Sequence, residues 1–179
     1  FTQMARERHP IPRWIVVGAG TGGTSATMGR YVRYQRHATQ VCVPDPVGSV
    51  FGQYHRTGDL TLTDVGSRIE GIGRPRVEPS FMRTLIDRMM DVPNVASVAA
   101  MRVLSSLLGR RVGPSTGTNF IGMLTLASEM RAAKQQGSIL SLLCDSGERY
   151  LPTYHDAAWV EKSFGDCSAA EERIRALLA

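Results

Sequence analysis

Residues 15–24 read Ile15-Val16-Val17-Gly18-Ala19-Gly20-Thr21-Gly22-Gly23-Thr24, and this stretch decides the fold. Three bulky apolar residues in a row are typical of a strand that is buried on both faces. The glycines that follow allow a tight turn whose N–H groups stay open to a ligand. A helix is predicted to begin at about Thr24, where its first N–H groups lack partners and its dipole is positive. Residues 18–24, called the glycine turn below, are therefore a candidate phosphate-binding site.

The spacing of Gly18, Gly20 and Gly23 matches the fingerprint of a dinucleotide-binding turn. Asp45 follows the next apolar strand, about where an acid that binds ribose would be expected. A strand-to-helix turn that merely requires small residues explains the same glycines. The glycine turn alone leaves both interpretations open.

The chain has 179 residues and 42% apolar content, which suits one domain with its own core; residues 160–179 are expected to form a helical tail. Phe1 is not an initiator methionine, so we expect the sequence to be part of a longer protein. Apolar stretches are too short to cross a bilayer, and the first residues lack the apolar centre of a signal peptide. These features predict a cytoplasmic protein with no membrane partner.

Charge and cysteine usage exclude several classes of site. The net charge of +5 comes mainly from scattered arginines without a basic block, so no nucleic-acid partner is predicted. Cys42, Cys144 and Cys167 form no CxxC pair, and their odd number argues against a disulfide framework. Cys42 and Cys144 lie in apolar strand patterns, and we expect both thiols to be buried. The four histidines are isolated, so no metal site is predicted.

Apolar periodicity and turn residues predict alternating strands and helices, typical of an α/β fold with a parallel sheet. The predicted strands cover residues 14–17, 40–43, 88–92, 110–112 and 138–144. The predicted helices cover residues 24–37, 79–87, 95–108 with Asn94 as cap, about 119–133, 153–163 and 169–178. Residues 46–68 show no sustained periodicity and predict a long surface loop, which is followed by a glycine-rich turn at residues 69–73.

Three predicted strands end in small, hydroxyl-bearing turns at residues 20–24, 113–117 and 145–147. Ligands of open α/β sheets bind beyond the carboxyl ends of the strands, so these turns could line one pocket. Ser115 also fits the nucleophile elbow of a serine hydrolase, with Asp145 and His155 following in the expected order. That alternative gives the glycine turn no role. A phosphorylated ring cofactor would use all three turns, with a hydroxyl at a ring nitrogen that stays unprotonated.

Four motifs occur together in the chain. They are WIVVGAGTGGTSATMG at residues 14–29, RIEGIGRPRVEPS at 68–80, RRVGPSTGTN at 110–119 and DSGERY at 145–150. In this order and spacing they resemble the pyridoxal-phosphate enzymes of the cysteine synthase and cystathionine β-synthase family, most of all the actinobacterial L-cysteine desulfhydrase branch. The resemblance implies a three-layer α/β fold in which helices flank a mostly parallel sheet, as in fold-type II enzymes such as the tryptophan synthase β subunit.

The resemblance also implies the roles of individual residues. Ser115 would meet the pyridine nitrogen, and Asp145 would lie in a polar turn near the ring. The phosphate would bind to Gly20, Thr21, Gly22, Gly23 and Thr24. The substrate side of the pocket would be formed by Gly71, Ile72 and Gly73.

The family lysine that forms a Schiff base with the cofactor precedes the glycine turn, and neither Lys134 nor Lys162 matches it. No catalytic residue is therefore assigned in this chain, which alone is expected to be inactive. Its implied partners are the amino-terminal portion of the same enzyme and a second copy in a homodimer. The implied reaction is β-elimination on L-cysteine, which yields hydrogen sulfide, pyruvate and ammonia. Cysteine synthase activity, a non-catalytic binding or assembly module and an NAD(P)-binding domain remain alternatives.

Overall fold

The computed structural model describes residues 1–178. Its centre is a parallel sheet with the strand order β3-β2-β1-β4. Trp14 lies opposite Gln40 on one side and Ile139 on the other, so the first strand is paired along both edges. The strands are β1 (Trp14–Val16), β2 (Gln40–Pro46), β3 (Arg88–Val92) and β4 (Ile139–Ser141).

Six α-helices are present among residues 1–178. They are α1 (Gly23–Tyr34), α2 (Phe51–Thr57), α3 (Asn94–Leu108), α4 (Pro114–Ala132), α5 (Ala157–Phe164) and α6 (Ser168–Leu178). Short 3₁₀ turns occur at Gln3–Arg6, Arg83–Leu85 and Gly147–Tyr150. The predicted class, a mostly parallel sheet between layers of helices, is confirmed.

Alternation along β1 explains why the sheet is covered on both faces. Ile15 packs with Val32 of α1 and Phe51 of α2 in one buried cluster. Val16 points to the other face, where it packs with Leu126 of α4. Successive side chains of a strand point to opposite faces, so an uninterrupted apolar run requires a helix layer on each side.

The last two helices pack against α3. Val160 of α5 and Ile174 of α6 are buried in one cluster with Val98, Met101 and Val103 of α3. The predicted tail is thus joined to the helical layer by apolar contacts, and it divides into two helices. Ala179, the last residue of that predicted tail, lies outside the described residues.

Several predicted elements differ in the structure because they are too short to show a period. The predicted loop 46–68 contains α2, which has only seven residues. The predicted helix at 79–87 is reduced to one 3₁₀ turn. The predicted strand at 110–112 is only a single bridge between Val112 and Ser146. Pattern reasoning cannot separate such one-turn elements from loops.

Helix starts and strand ends were also misplaced. Asn94 does not cap α3; Pro93 precedes the helix, and the Asn94 side chain donates to the Val47 carbonyl. Helix α4 begins at Pro114, several residues before the predicted start, because proline is well suited to the first turn of a helix. Strand β4 ends at Ser141, so residues 142–145, here called the 142–145 segment, leave the sheet.

No helix among residues 1–178 is both long enough and apolar enough to cross a bilayer.

Candidate functional site

A cavity of about 340 Å³ opens at the carboxyl ends of β1 and β4. Four parts of the chain form its wall: the glycine turn, the 69–73 turn, the start of α4 and the 142–145 segment. The lining residues are Val17, Gly18, Ala19, Gly20, Thr21, Gly22, Gly23, Thr24, Gly71, Ile72, Ser115, Leu142, Cys144 and Asp145. The structure therefore brings together every predicted site residue except Gly73.

The glycine turn is held in place by close backbone contacts. Gly22 has φ +88°, and a Cβ built there would lie 2.5 Å from the Cα of Phe81. A Cβ at Gly20 would lie 2.5 Å from the carbonyl oxygen of Gly71. Both positions therefore exclude a side chain, and the turn packs directly on two neighbouring loops.

The N–H groups of residues 20–25 have no hydrogen-bond acceptor among residues 1–178. The hydroxyls of Thr21 and Thr24 also have no partner within that range. The first turn of α1 contains no acidic side chain that could neutralise its positive end. The unpaired donors and the positive end of the helix dipole thus lie at the same turn. This combination favours the binding of an oxyanion such as phosphate.

Ser115 lies in the first turn of α4 and lines the same cavity. The residue is only 4% exposed, and its hydroxyl has no hydrogen-bond partner among residues 1–178. A hydroxyl can either donate or accept, so Ser115 is free to meet a polar atom of a ligand.

The 69–73 turn and the adjacent Arg74 are each joined to the glycine turn by a hydrogen bond. The N–H of Gly73 donates to the Ala19 carbonyl over 2.9 Å, and Arg74 Nε donates to the Gly20 carbonyl over 3.2 Å. Gly71 and Ile72 line the cavity, whereas a Cβ at Gly73 would meet Ser67 and Pro46. Gly73 is not among the lining residues; its N–H ties the 69–73 turn to the glycine turn, and its contact with the substrate stays a prediction.

Asp145 lines the cavity from the 142–145 segment. Its Oδ2 accepts a hydrogen bond from the Tyr150 hydroxyl over 2.6 Å, and its Oδ1 is buried without a partner among residues 1–178. Burial raises the pKa of Tyr150, and the Asp145 carboxylate raises it further. The phenol therefore keeps its proton and holds the carboxylate in place.

The sequence reasoning missed Cys144 and Asn119. Cys144 was expected to be buried in a strand, but it is exposed and lines the cavity because β4 ends early. Asn119 lies one helical turn after Ser115, and its Oδ1 accepts a hydrogen bond from the N–H of Gly18. The spacing of four residues would have placed both side chains on one helix face, had the start of α4 been known. Cys42 is buried, as predicted.

The dinucleotide interpretation placed Asp45 beside the ligand. In the structure, Asp45 does not line the cavity. Asp45 is 3% exposed within β2, and its Oδ2 accepts a hydrogen bond from the N–H of Gly52 over 2.9 Å. Its Oδ1 is buried without a partner among residues 1–178. Loss of solvation raises the pKa of this carboxyl from 3.8 to about 6, although the Gly52 bond opposes the shift.

Asp45→Asn should make stability less sensitive to pH. The raised pKa means that the native state binds the Asp45 proton more tightly than the unfolded state does. Protonation of Asp45 therefore stabilises the fold fully below about pH 4, and this contribution is lost as pH rises through about 6. The variant stays neutral throughout. We expect both proteins to be similar near pH 4 and the variant to be more stable by up to about 3 kcal/mol at pH 8, as measured by urea unfolding. A stability difference that does not change with pH would contradict this account.

The serine hydrolase arrangement does not form. His155 Nε2 hydrogen-bonds to the Val112 carbonyl over 3.1 Å, and His155 does not line the cavity. The Asp145 carboxylate is bound to Tyr150 instead. Ser115 therefore has no adjacent general base.

Neither lysine of the chain reaches the cavity. Lys134 follows α4 with φ +53°, and Lys162 lies on α5; both are exposed and neither lines the cavity wall. Among residues 1–178, no cluster of three or more His, Cys, Asp or Glu side chains could hold a metal ion.

Comparison with known proteins identifies the relatives of the chain. It is 56% identical to the L-cysteine desulfhydrase Cds1 of Mycobacterium tuberculosis over 161 residues, which are 89% of this chain and 44% of that protein. It is 30% identical to cysteine synthase 2 of Schizosaccharomyces pombe, over 83% of this chain and 40% of that protein. The chain thus spans less than half the length of these curated relatives.

A solved structure shares the fold. A hydrogen sulfide-producing enzyme from Fusobacterium nucleatum superposes with a TM-score of 0.68 and 25% identity, over 89% of this chain and 45% of that one. The model of one protein family, described as pyridoxal-phosphate dependent enzymes, matches residues 2–145. That range includes the glycine turn, the 69–73 turn and Ser115. The chain belongs to the family of pyridoxal-phosphate-dependent enzymes.

Proposed function

We propose that this chain is the cofactor-holding part of an enzyme that eliminates sulfide from L-cysteine and yields pyruvate and ammonia. One observation carries the proposal: the N–H groups of residues 20–24 and the hydroxyl of Ser115, which have no partners among residues 1–178, line the same cavity. Pyridoxal phosphate has a phosphate on one side of its ring and a nitrogen within the ring. The residues present fit both ends of this cofactor.

The phosphate would bind to Gly20, Thr21, Gly22, Gly23 and Thr24. Their N–H groups and the two threonine hydroxyls are donors without an internal acceptor among residues 1–178. The positive end of α1 would favour the phosphate charge further. Gly20 and Gly22 have no side chains, so the backbone of this turn can approach the anion closely.

The Ser115 hydroxyl would face the ring nitrogen. A hydroxyl is a weak acid and would leave that nitrogen unprotonated, unlike a carboxylate partner. The bound cofactor would supply the electron sink for carbon–sulfur bond cleavage. Ser115, which is itself only 4% exposed, would orient the ring by donating one hydrogen bond to it.

The substrate would lie against Gly71 and Ile72, which form the cavity wall beside the glycine turn. Gly73 and Arg74 would keep that wall in place through their bonds to Ala19 and Gly20. Asp145 also lines the cavity, and its Oδ1, which has no partner among residues 1–178, would accept a hydrogen bond from the ligand or from water. We assign Asp145 to the neighbourhood of the ring.

The lysine that binds the cofactor and moves the α-proton of the substrate would come from the amino-terminal portion of the same enzyme. The relatives are more than twice as long as the region they share with this chain, which supports this assignment. By resemblance to the family, the complete enzyme would be a cytoplasmic homodimer.

Cysteine synthase is the second candidate function, because the chain is also 30% identical to an enzyme of that name. The two reactions can be separated with the complete protein, supplied first with cysteine alone and then with O-acetylserine plus sulfide. Sulfide and pyruvate from cysteine alone are expected. Reaction of the second mixture only would replace the desulfhydrase proposal with a synthase.

Cofactor binding separates the remaining alternatives from both enzymes. The complete protein should gain visible absorbance when pyridoxal phosphate is added, and that absorbance should persist through gel filtration. A complete protein that binds NAD(P) instead would be a dinucleotide-binding protein. One that binds neither cofactor would be a non-catalytic binding or assembly module.

A further inference from the structure

Asn119 lies behind the cavity wall and has no part in the function described so far. It is 1% exposed, and it sits on α4 one helical turn after Ser115. A buried amide must have its polar atoms paired, because an unpaired group loses its solvation without compensation. The partners of Asn119 therefore indicate why a polar residue occupies this position.

Three hydrogen bonds run in series, and the first two involve the side chain of Asn119. The N–H of Gly18 donates to Asn119 Oδ1 over 2.7 Å, and Asn119 Nδ2 donates to Cys144 Sγ over 3.4 Å. The Cys144 thiol then donates to the Leu142 carbonyl over 3.8 Å. Because a backbone N–H can only donate, the amide oxygen must face Gly18, which leaves the NH₂ group for the sulfur.

These bonds join parts of the chain that are far apart in sequence. Gly18 follows β1, Asn119 belongs to α4, and Cys144 lies in the 142–145 segment beyond β4. Thr116 adds a second tie, since its hydroxyl accepts a hydrogen bond from the Cys144 N–H over 3.1 Å. Ser115 lies next to Thr116 on the same turn of α4. The side chain of Asn119 thus connects the glycine turn to the helix that carries Ser115.

We propose that Asn119 is a positioning residue for the cofactor. By holding the N–H of Gly18, it sets the distance between the phosphate-binding N–H groups and the Ser115 hydroxyl, so that one rigid ligand meets both. This inference rests on the proposed function, because it concerns the same cavity. Binding of a rigid ligand at two ends depends on sub-ångström placement of the two contacts.

The chemistry of the amide suits this position. Aspartate could accept the same hydrogen bond from Gly18, but an ionised carboxylate behind the glycine turn would oppose the phosphate charge. Leucine would fill a similar volume and leave the Gly18 N–H without its acceptor. Asparagine supplies an acceptor for Gly18 and a donor for Cys144 without adding charge.

The test uses the complete enzyme with Asn119→Leu and a matched control, Thr118→Val. Thr118 is the preceding residue on α4, is fully buried and bonds to Ser97 on the side away from the cavity. The measurements are the dissociation constant of pyridoxal phosphate by equilibrium dialysis and the phosphorus-31 resonance of the bound phosphate. Asn119→Leu should raise the dissociation constant about tenfold and move the resonance. Thr118→Val should lower the thermal midpoint without changing either value.

Unchanged cofactor affinity and an unmoved phosphorus resonance in Asn119→Leu would overturn the proposal. So would equal changes in Thr118→Val, because these would indicate a general loss of packing. If Asn119→Leu does not fold, Asn119→Ser, which is too short to reach both partners, carries the same expected results. A wild-type protein that does not bind pyridoxal phosphate would instead refute the proposed function. Failure of the Asn119 proposal can therefore be distinguished from failure of the proposed function.

Discussion

Gly22→Ala is expected to prevent retention of pyridoxal phosphate and to destabilise the fold by about 2–4 kcal/mol. The native φ of +88° is unfavourable for alanine, and the new Cβ would lie 2.5 Å from the Cα of Phe81. A backbone atom cannot move aside as a flexible side chain can. The glycine turn would have to shift as a unit, and its N–H groups would no longer converge on one point.

Gly109→Ala is the matched control for this substitution. Gly109 also has a left-handed backbone, with φ +61° and ψ +20°, but a Cβ there would meet nothing within 4 Å. It directly follows α3, away from the candidate site. The control should lose only about 1 kcal/mol and should retain the cofactor. The measurements are urea unfolding and cofactor absorbance after gel filtration of the complete protein. Equal behaviour of the two variants would show that backbone strain alone, without the Phe81 contact, accounts for the effect.

Ser115→Ala is expected to weaken cofactor binding by about 10- to 100-fold and to shift the visible absorbance of any cofactor that remains bound. The ring nitrogen would then lie beside a buried position that offers no hydrogen-bond partner, and an unpaired group of this kind costs about 1–3 kcal/mol. The variant should fold normally, because the Ser115 hydroxyl that it lacks makes no hydrogen bond within residues 1–178.

Ser97→Ala provides the comparison for Ser115→Ala. Ser97 is a fully buried serine of α3, and its hydroxyl accepts a hydrogen bond from Thr118 away from the cavity. Its loss should reduce stability and leave the absorbance spectrum unchanged. A Ser115→Ala enzyme with wild-type affinity and spectrum would remove Ser115 from the proposed cofactor contacts.

The sequence was sufficient for the parts of the fold that depend on local pattern. The apolar run at β1 and the glycines after it predicted a buried strand and a tight turn, and both are present. The turns at residues 20–24, 113–117 and 145–147 were expected to share a pocket because parallel strands end at one edge of a sheet. Ser115 and the glycine turn do line one cavity, although Ser115 reaches it from the first turn of a helix.

The positions of some side chains depend on tertiary contacts and could not be predicted from the sequence. Cys144 looked like a strand residue, but β4 ends at Ser141 and the next residues bond to α4 through Thr116 and Asn119. Asp45 fitted a ribose-binding position by spacing, yet its carboxylate faces the N–H of Gly52. Neither side-chain direction can be obtained from residue order, because each depends on a partner elsewhere in the fold.

The pairing of β1 between β2 and β4 has a consequence for biosynthesis. The glycine turn, β2 and β3 leave the ribosome well before Ser115 and β4, because they precede them in the chain. A nascent chain can therefore assemble three strands while the opposite wall of the cavity does not yet exist. The contact to the heterocycle requires α4, and the bond from Asn119 to Cys144 also requires the segment after β4, so the coenzyme should be loaded only after both have joined the sheet.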